Sequence, residues 1–136
     1  MNNLNDYFTT IYYYLHPDQK QNISHQSVRI LQFIQKENTV TVRLVAEAFR
    51  ISHNTASEHI KKLEKNSWVT KNRDEHDQRI VNLHLTDIGL DVVKENTELD
   101  PEKLENVLRN LTVEQKQKIE ESFQLLSEVA KNVHSH

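Results

Sequence analysis

The chain has very few residues that interrupt a helix, with one glycine and two prolines among 136 residues. Glycine and proline are the strongest breakers of regular structure, so their scarcity favours helices throughout. Apolar residues recur at helical spacing between residues 3 and 16, and Pro17 ends that run. The sequence therefore predicts a mostly α-helical protein whose first helix covers roughly these residues.

Side-chain oxygens mark where the next helices begin. Ser24 and Ser52 each precede an apolar pattern of helical period, which is the position that an N-cap residue occupies, and another helix is expected to begin near Thr41. They predict three successive helices in the first half of the chain. The second is short and is expected to bury Leu44, Val45, Ala46 and Phe49, and the third is expected to bury Ala56, Ile60 and Leu63.

Two short helices joined by a few residues are typical of a helix-turn-helix. On the second of them, after Ser52, the polar side chains lie away from the apolar stripe, and their types read base edges or bind phosphates in DNA. The candidate contacts are Ser52, His53, Asn54, Thr55, Ser57, Glu58, Lys61 and Lys62. The alternative is an ordinary solvent-facing helix on which Glu58 and Lys62 form an i,i+4 pair.

The next segment favours DNA binding over that alternative. Residues 68–71 and 79–85 are rich in β-branched or alternating apolar residues, and the polar residues 74–78 between them are turn-prone. The pattern predicts a β-hairpin, that is, a wing flanked by Arg73 and Arg79 that reaches phosphates or the minor groove. Asp77 is expected to lie on the same strand face as Arg79 and to bind its guanidinium.

Charge is distributed unevenly along the chain. The formal net charge is −3, yet residues 39–86 hold eight Lys and Arg against six Asp and Glu. A basic centre within an acidic frame is consistent with a DNA-binding segment, because phosphate neutralisation requires a positive surface.

The run from Ser52 to Val69, the Asp77-x-Arg79 pair and the segment from Leu83 to Gly89 resemble the MarR family of winged-helix regulators. The resemblance implies a homodimer that binds a pseudo-palindromic operator in double-stranded DNA, acts as a repressor, and in many members is released by a small-molecule effector. It assigns the recognition-helix positions to His53, Asn54, Thr55, Ser57 and Lys61, and the wing arginine to Arg79.

The chain departs from the family pattern at three places. Asn66 and Ser67 stand where members often have glycine after the recognition helix, and Asn66 is expected to supply the left-handed residue there. Gln78 precedes Arg79 where two arginines are common. Glu58 replaces an arginine, and a carboxylate accepts a hydrogen bond from the amino group of cytosine. We expect the turn at Asn66 and Ser67 to be kept, and we expect Gln78 and Glu58 to shift phosphate affinity or base preference.

Apolar stripes continue beyond the wing, after the capping residues Thr86, Asp100 and Thr112. A chain of this length forms one domain, in which we expect a DNA-binding lobe at residues 24–86 and dimerisation helices at 1–20 and 87–136. Stripes on the terminal helices leave apolar surface for a second copy. The residues assigned to this dimer contact are Phe8, Ile11, Leu15, Leu108, Ile119, Phe123 and Leu126.

Other classes of protein are disfavoured. The absence of cysteine excludes disulfides and thiol chemistry, and the eight histidines show no metal-binding spacing, so neither an enzyme nor a cofactor is expected. We find no apolar run that spans a bilayer and no signal-like N-terminus, which predicts a cytoplasmic protein. The alternatives are a winged helix that binds another protein and, further removed, a metal-dependent enzyme.

Overall fold

The computed structural model describes residues 3–18 and 22–135. It confirms a mostly helical fold with one small β-hairpin. The elements are α1 (Leu4–Leu15), α2 (His25–Lys36), α3 (Val42–Phe49), α4 (His53–Lys65), β1 (Val69–Arg73), β2 (Val81–Leu85), α5 (Asp87–Thr97), α6 (Pro101–Leu108) and α7 (Val113–His134). The described residues form two compact units, one within 17–98 and one from 1–16 together with 99–136.

The unit within residues 17–98, called the lobe below, is organised by helix caps. The hydroxyl oxygens of Ser24, Thr41 and Ser52 accept hydrogen bonds from backbone N–H groups three residues later, at 3.0 to 3.2 Å. Each bond satisfies one of the N–H groups that the first helical turn leaves without a partner. The predicted caps Ser24 and Ser52 are confirmed, and Thr41 caps the short helix that was expected to begin near it.

The core of the lobe is formed by one face of each helix together with the hairpin. Ala56, Ile60 and Leu63 of α4 are buried as expected. The prediction that Leu44 is buried is wrong, because it is 38% exposed. Val45 of α3 faces the core of the lobe. Successive side chains of a helix differ in direction by about 100°, so Leu44 is turned away from that core.

The turn after α4 contains the second correction. Asn66 has a right-handed backbone, and Ser67 is the left-handed residue, with φ of 64°. The N–H of Trp68 donates to the Leu63 carbonyl at 3.0 Å, and the N–H of Ser67 donates to the Glu64 carbonyl at 2.9 Å. These two bonds form a Schellman motif, which places the left-handed residue one position later than the sequence suggested.

The hairpin is antiparallel and pairs Val69 with Leu85 and Arg73 with Val81. Its base is tied to the lobe, because the Leu83 N–H donates to the Val40 carbonyl at 2.8 Å and the Thr86 N–H donates to the Trp68 carbonyl at 3.0 Å. β2 begins at residue 81, two residues later than predicted.

Helix α5 completes the lobe. The Thr86 hydroxyl caps it by accepting from the Gly89 N–H at 2.9 Å, and Val92 and Val93 are buried in the lobe core. Gly89, Val92 and Val93 form the buried face of α5, whereas Ile88 is 54% exposed. The lobe unit therefore includes residues 87–97, although the sequence predicted that they belong to the dimerisation helices. Their role in dimerisation stays a prediction.

The second unit contains α1, α6 and α7. Asp100 caps α6 and Pro101 is its first residue, while Thr112 and Gln115 form the expected capping box of α7. The Asp100 N–H donates to the Leu15 carbonyl at 2.8 Å, which joins α6 to the end of α1. Residues 1, 2, 19 and 20 of the predicted segment 1–20 lie outside the described residues.

Candidate nucleic-acid interface

The lobe contains an open cleft of about 900 Å³ between the first turn of α3, the start of α4 and the wing, here β1, β2 and the loop 74–80 that joins them. Three separate elements thus contribute to one surface, which combines basic, polar and apolar side chains. The lining residues are Thr41, Val42, Arg43, Leu44, His53, Ser57, Lys71, Arg73, Arg79, Ile80 and Val81.

Four of the candidate DNA contacts lie in this cleft, namely His53, Ser57, Arg73 and Arg79. The burial of one face of α4 explains why its polar residues point outward, since a helix that buries Ala56, Ile60 and Leu63 must expose the opposite side. The remaining candidates on α4 lie outside the cleft lining and are exposed: Asn54, Thr55, Glu58, Lys61 and Lys62.

Ser52 has a structural task at this surface. Its hydroxyl oxygen accepts the Thr55 N–H at 3.0 Å, and its hydroxyl donates to the Thr55 hydroxyl at 2.9 Å. These bonds order the first turn of α4, which is the end that carries His53 and Asn54. The cap thereby fixes the direction in which the candidate contacts leave the helix.

Asp74 organises the wing loop. One of its carboxylate oxygens accepts the N–H groups of His76 and Asp77, both at 3.0 Å, and the other accepts the Asn82 amide at 3.3 Å. The hydrogen bond from Asp77, followed by that from His76, lowers the pKa of Asp74 below its ordinary value of 3.8. An ionised acceptor bound by several donors holds a short loop in one conformation.

The two arginines of the wing are held by acceptors in the same loop. Nε and Nη2 of Arg79 donate to the two carboxylate oxygens of Asp77, each at 3.0 Å, and Nη1 of Arg73 donates to the Gln78 carbonyl at 2.6 Å. This fork lowers the pKa of Asp77 and raises that of Arg79. The predicted bond between Asp77 and Arg79 is confirmed, although both residues lie in the loop and not on a strand face.

Sequence reasoning missed the contribution of α3 to the cleft. Arg43 lines it and donates to the Glu47 carboxylate at 3.1 Å, and Lys71 lines it and pairs with Glu64 at 3.1 Å. The only signal in the sequence was the excess of Lys and Arg over Asp and Glu in residues 39–86. Among the described residues, we find no group of three His, Asp or Glu side chains arranged to hold a metal ion.

A helix-turn-helix followed by a β-hairpin beside its second helix defines the winged helix-turn-helix class of DNA-binding lobe. Residues 21–80 match the model of the MarR family.

Several named proteins are similar to this chain in sequence or in fold. The HTH-type transcriptional regulator YfiV of Bacillus subtilis is 26% identical over 113 residues, which cover 83% of this chain and 71% of the relative. The transcriptional regulator Tm0710 of Thermotoga maritima has a similar structure, with a TM-score of 0.61, 24% identity and coverage of 84% and 80% of the two chains. FabT of Streptococcus pneumoniae, solved in complex with DNA, gives a TM-score of 0.58, 20% identity and 96% coverage of each chain.

Proposed function

We propose that this protein is a transcription regulator that binds a pseudo-palindromic operator as a homodimer, inserting α4 of each copy into a major groove and placing each wing against the adjacent backbone. The observation that carries the proposal is the cleft in which His53 and Ser57 of α4 lie beside Arg73 and Arg79 of the wing. A recognition helix next to a basic hairpin fits a duplex, because base edges and phosphates are then reached together.

The proposed dimer is supported by exposed apolar side chains on the terminal helices. Phe8 of α1 is 61% exposed, and Phe123 and Leu126 of α7 are 54% and 56% exposed. Side chains of this size, repeated at near-heptad spacing, require a partner surface. Two lobes joined in this way match the two half-sites of a palindrome.

We further propose that the dimer acts in the cytoplasm and represses transcription by occupying its operator. No helix among the described residues is long and apolar enough to cross a membrane. FabT, a chain of similar fold, was solved in complex with DNA, which supports the DNA binding that this proposal requires.

Two variants test the roles of the wing and the recognition helix separately. Arg79 reaches phosphates or the degenerate minor groove, so Arg79→Ala should weaken binding to all duplexes and reduce the dependence of log K on log salt by about one unit for each lobe bound. Asn54 is able to form a bidentate pair with adenine, so Asn54→Ala should lose about 1–3 kcal/mol on the operator and much less on random DNA.

The measurement is a titration of the operator and of a random duplex at several salt concentrations, after the helicity and mass of each variant have been checked. Equal loss on both duplexes with Asn54→Ala, or an unchanged salt dependence with Arg79→Ala, would remove the role assigned to that residue. If the wild-type protein binds no duplex from its own promoter region, the alternative of a protein-binding winged helix is favoured instead.

A further inference from the structure

We propose that Arg43, on the first turn of α3, is a further DNA-contacting residue that binds a backbone phosphate, and that Glu47 is an internal acceptor which competes with this phosphate. The inference rests on the proposed function, because it requires a duplex against the cleft. It extends the interface from α4 and the wing to the helix that precedes them.

The position of Arg43 in the cleft is the first observation. Four cationic side chains line this one surface, and they come from α3, β1 and the wing loop: Arg43, Lys71, Arg73 and Arg79. Arg43 is the one of these four cations that α3 contributes. In helix-turn-helix complexes the first helix crosses the backbone while the second enters the groove, so a cation here faces the strand beside the recognition helix.

The internal bonds of these four cations are the second observation. Arg79 is held by two bonds to Asp77, Arg73 by the Gln78 carbonyl, and Lys71 by Glu64, with both side chains of the last pair about one-third exposed. Arg43 likewise has one bond, from Nε to Glu47. Within the described residues its two terminal nitrogens make no hydrogen bond, which leaves them available to a phosphate.

The weakness of the pair between Arg43 and Glu47 is the third observation. The two side chains are 81% and 57% exposed and lie one turn apart on α3. An exposed i,i+4 pair changes an equilibrium constant by only about twofold. A phosphate contact of a guanidinium also releases a counterion from the DNA, so the phosphate is the stronger acceptor.

Binding would therefore exchange one ion pair for another. In the free protein Glu47 holds the Arg43 side chain over the cleft; on DNA the guanidinium turns to the phosphate, and the Glu47 carboxylate returns to water. This carboxylate weakens the complex, both because its bond must be broken and because a negative charge stays near the backbone.

Affinity measurements on the full-length protein test both residues. Arg43→Ala should bind any duplex about tenfold more weakly at low salt, with the slope of log K against log salt reduced by about one unit for each lobe bound, and with operator preference unchanged. Glu47→Gln should bind about twofold more tightly. In a protein that already carries Arg43→Ala, the increase in affinity caused by Glu47→Gln should be smaller.

The chain contains a matched control pair. Arg109 and Glu105 on α6 form the same kind of i,i+4 pair, at 3.2 Å and 67% and 66% exposed, outside the cleft lining. Arg109→Ala and Glu105→Gln make the same charge changes and should alter affinity by less than about twofold, since neither residue lines the cleft. Circular dichroism and melting curves establish that all variants are folded.

The outcomes separate this inference from the proposed function. If the wild-type protein fails to bind duplex DNA, the proposed function fails and this inference fails with it. If the wild type binds but Arg43→Ala matches Arg109→Ala in affinity and salt slope, the proposed function stands and the contact is overturned. If Glu47→Gln gains equally with and without Arg43, the competing-acceptor role is overturned.

Discussion

At the scale of single residues, the one glycine of the chain shows why its position admits no side chain. A Cβ atom built on Gly89 would lie 2.0 Å from the Trp68 carbonyl oxygen, and that oxygen already accepts the Thr86 N–H. The Thr86 hydroxyl also donates to the Ser67 carbonyl at 2.6 Å. The start of α5 is therefore packed directly against the backbone at the base of the wing.

We expect Gly89→Ala to destabilise the lobe by roughly 1–3 kcal/mol, because the backbone must move to accept the methyl group. In an open helix the same change would stabilise by about 1 kcal/mol, so the sign of the effect is diagnostic. Urea unfolding measures it, with Glu95→Ala on the exposed side of α5 as a control that should change stability by less than about 0.5 kcal/mol. A more stable Gly89→Ala protein would contradict the close contact.

Ser67 provides a second prediction at this scale. Its φ of 64° is unfavourable for any residue with a Cβ, so Ser67→Gly should stabilise the protein by about 0.5–1 kcal/mol, after allowing for the greater freedom of glycine in the unfolded chain. Asn66→Gly is the matched control, and it should destabilise because Asn66 is right-handed. A higher urea midpoint for Ser67→Gly than for Asn66→Gly would show that Ser67 is the left-handed residue in solution.

At the scale of elements, the wing loop depends on the ionised form of Asp74. Because its pKa is lowered below 3.8 by donors within the loop, its contribution to wing order is complete above that value and is lost as the pH falls through the lower, folded value. The amide resonance of His76, which donates to this carboxylate, should therefore titrate with a midpoint below 3.8. Asp74→Asn should abolish that transition, whereas a midpoint at or above 3.8 would contradict the proposed network.

The helix starts were predictable from sequence because an N-cap is local: Ser24, Thr41 and Ser52 act on backbone groups three residues away. Burial was less predictable. Periodicity identifies the apolar face of α3, but neighbouring elements decide how much of it is covered, and Leu44 faces the cleft instead. For the same reason Arg43 was missed, since only the folded lobe brings the first turn of α3 beside the wing.

At the scale of the whole molecule, the proposed dimer depends on the terminal helices. No described residue of α7 is buried, although Ile119, Phe123 and Leu126 repeat on one face. Leu126→Glu places a charge in the proposed apolar contact and should weaken dimerisation by several kcal/mol, giving a monomer in sedimentation equilibrium and weak binding to a palindromic operator. Gln124→Glu adds the same charge about 160° around the helix and should stay dimeric. A wild-type protein that sediments as a folded monomer and still binds the full palindrome tightly would refute the dimer.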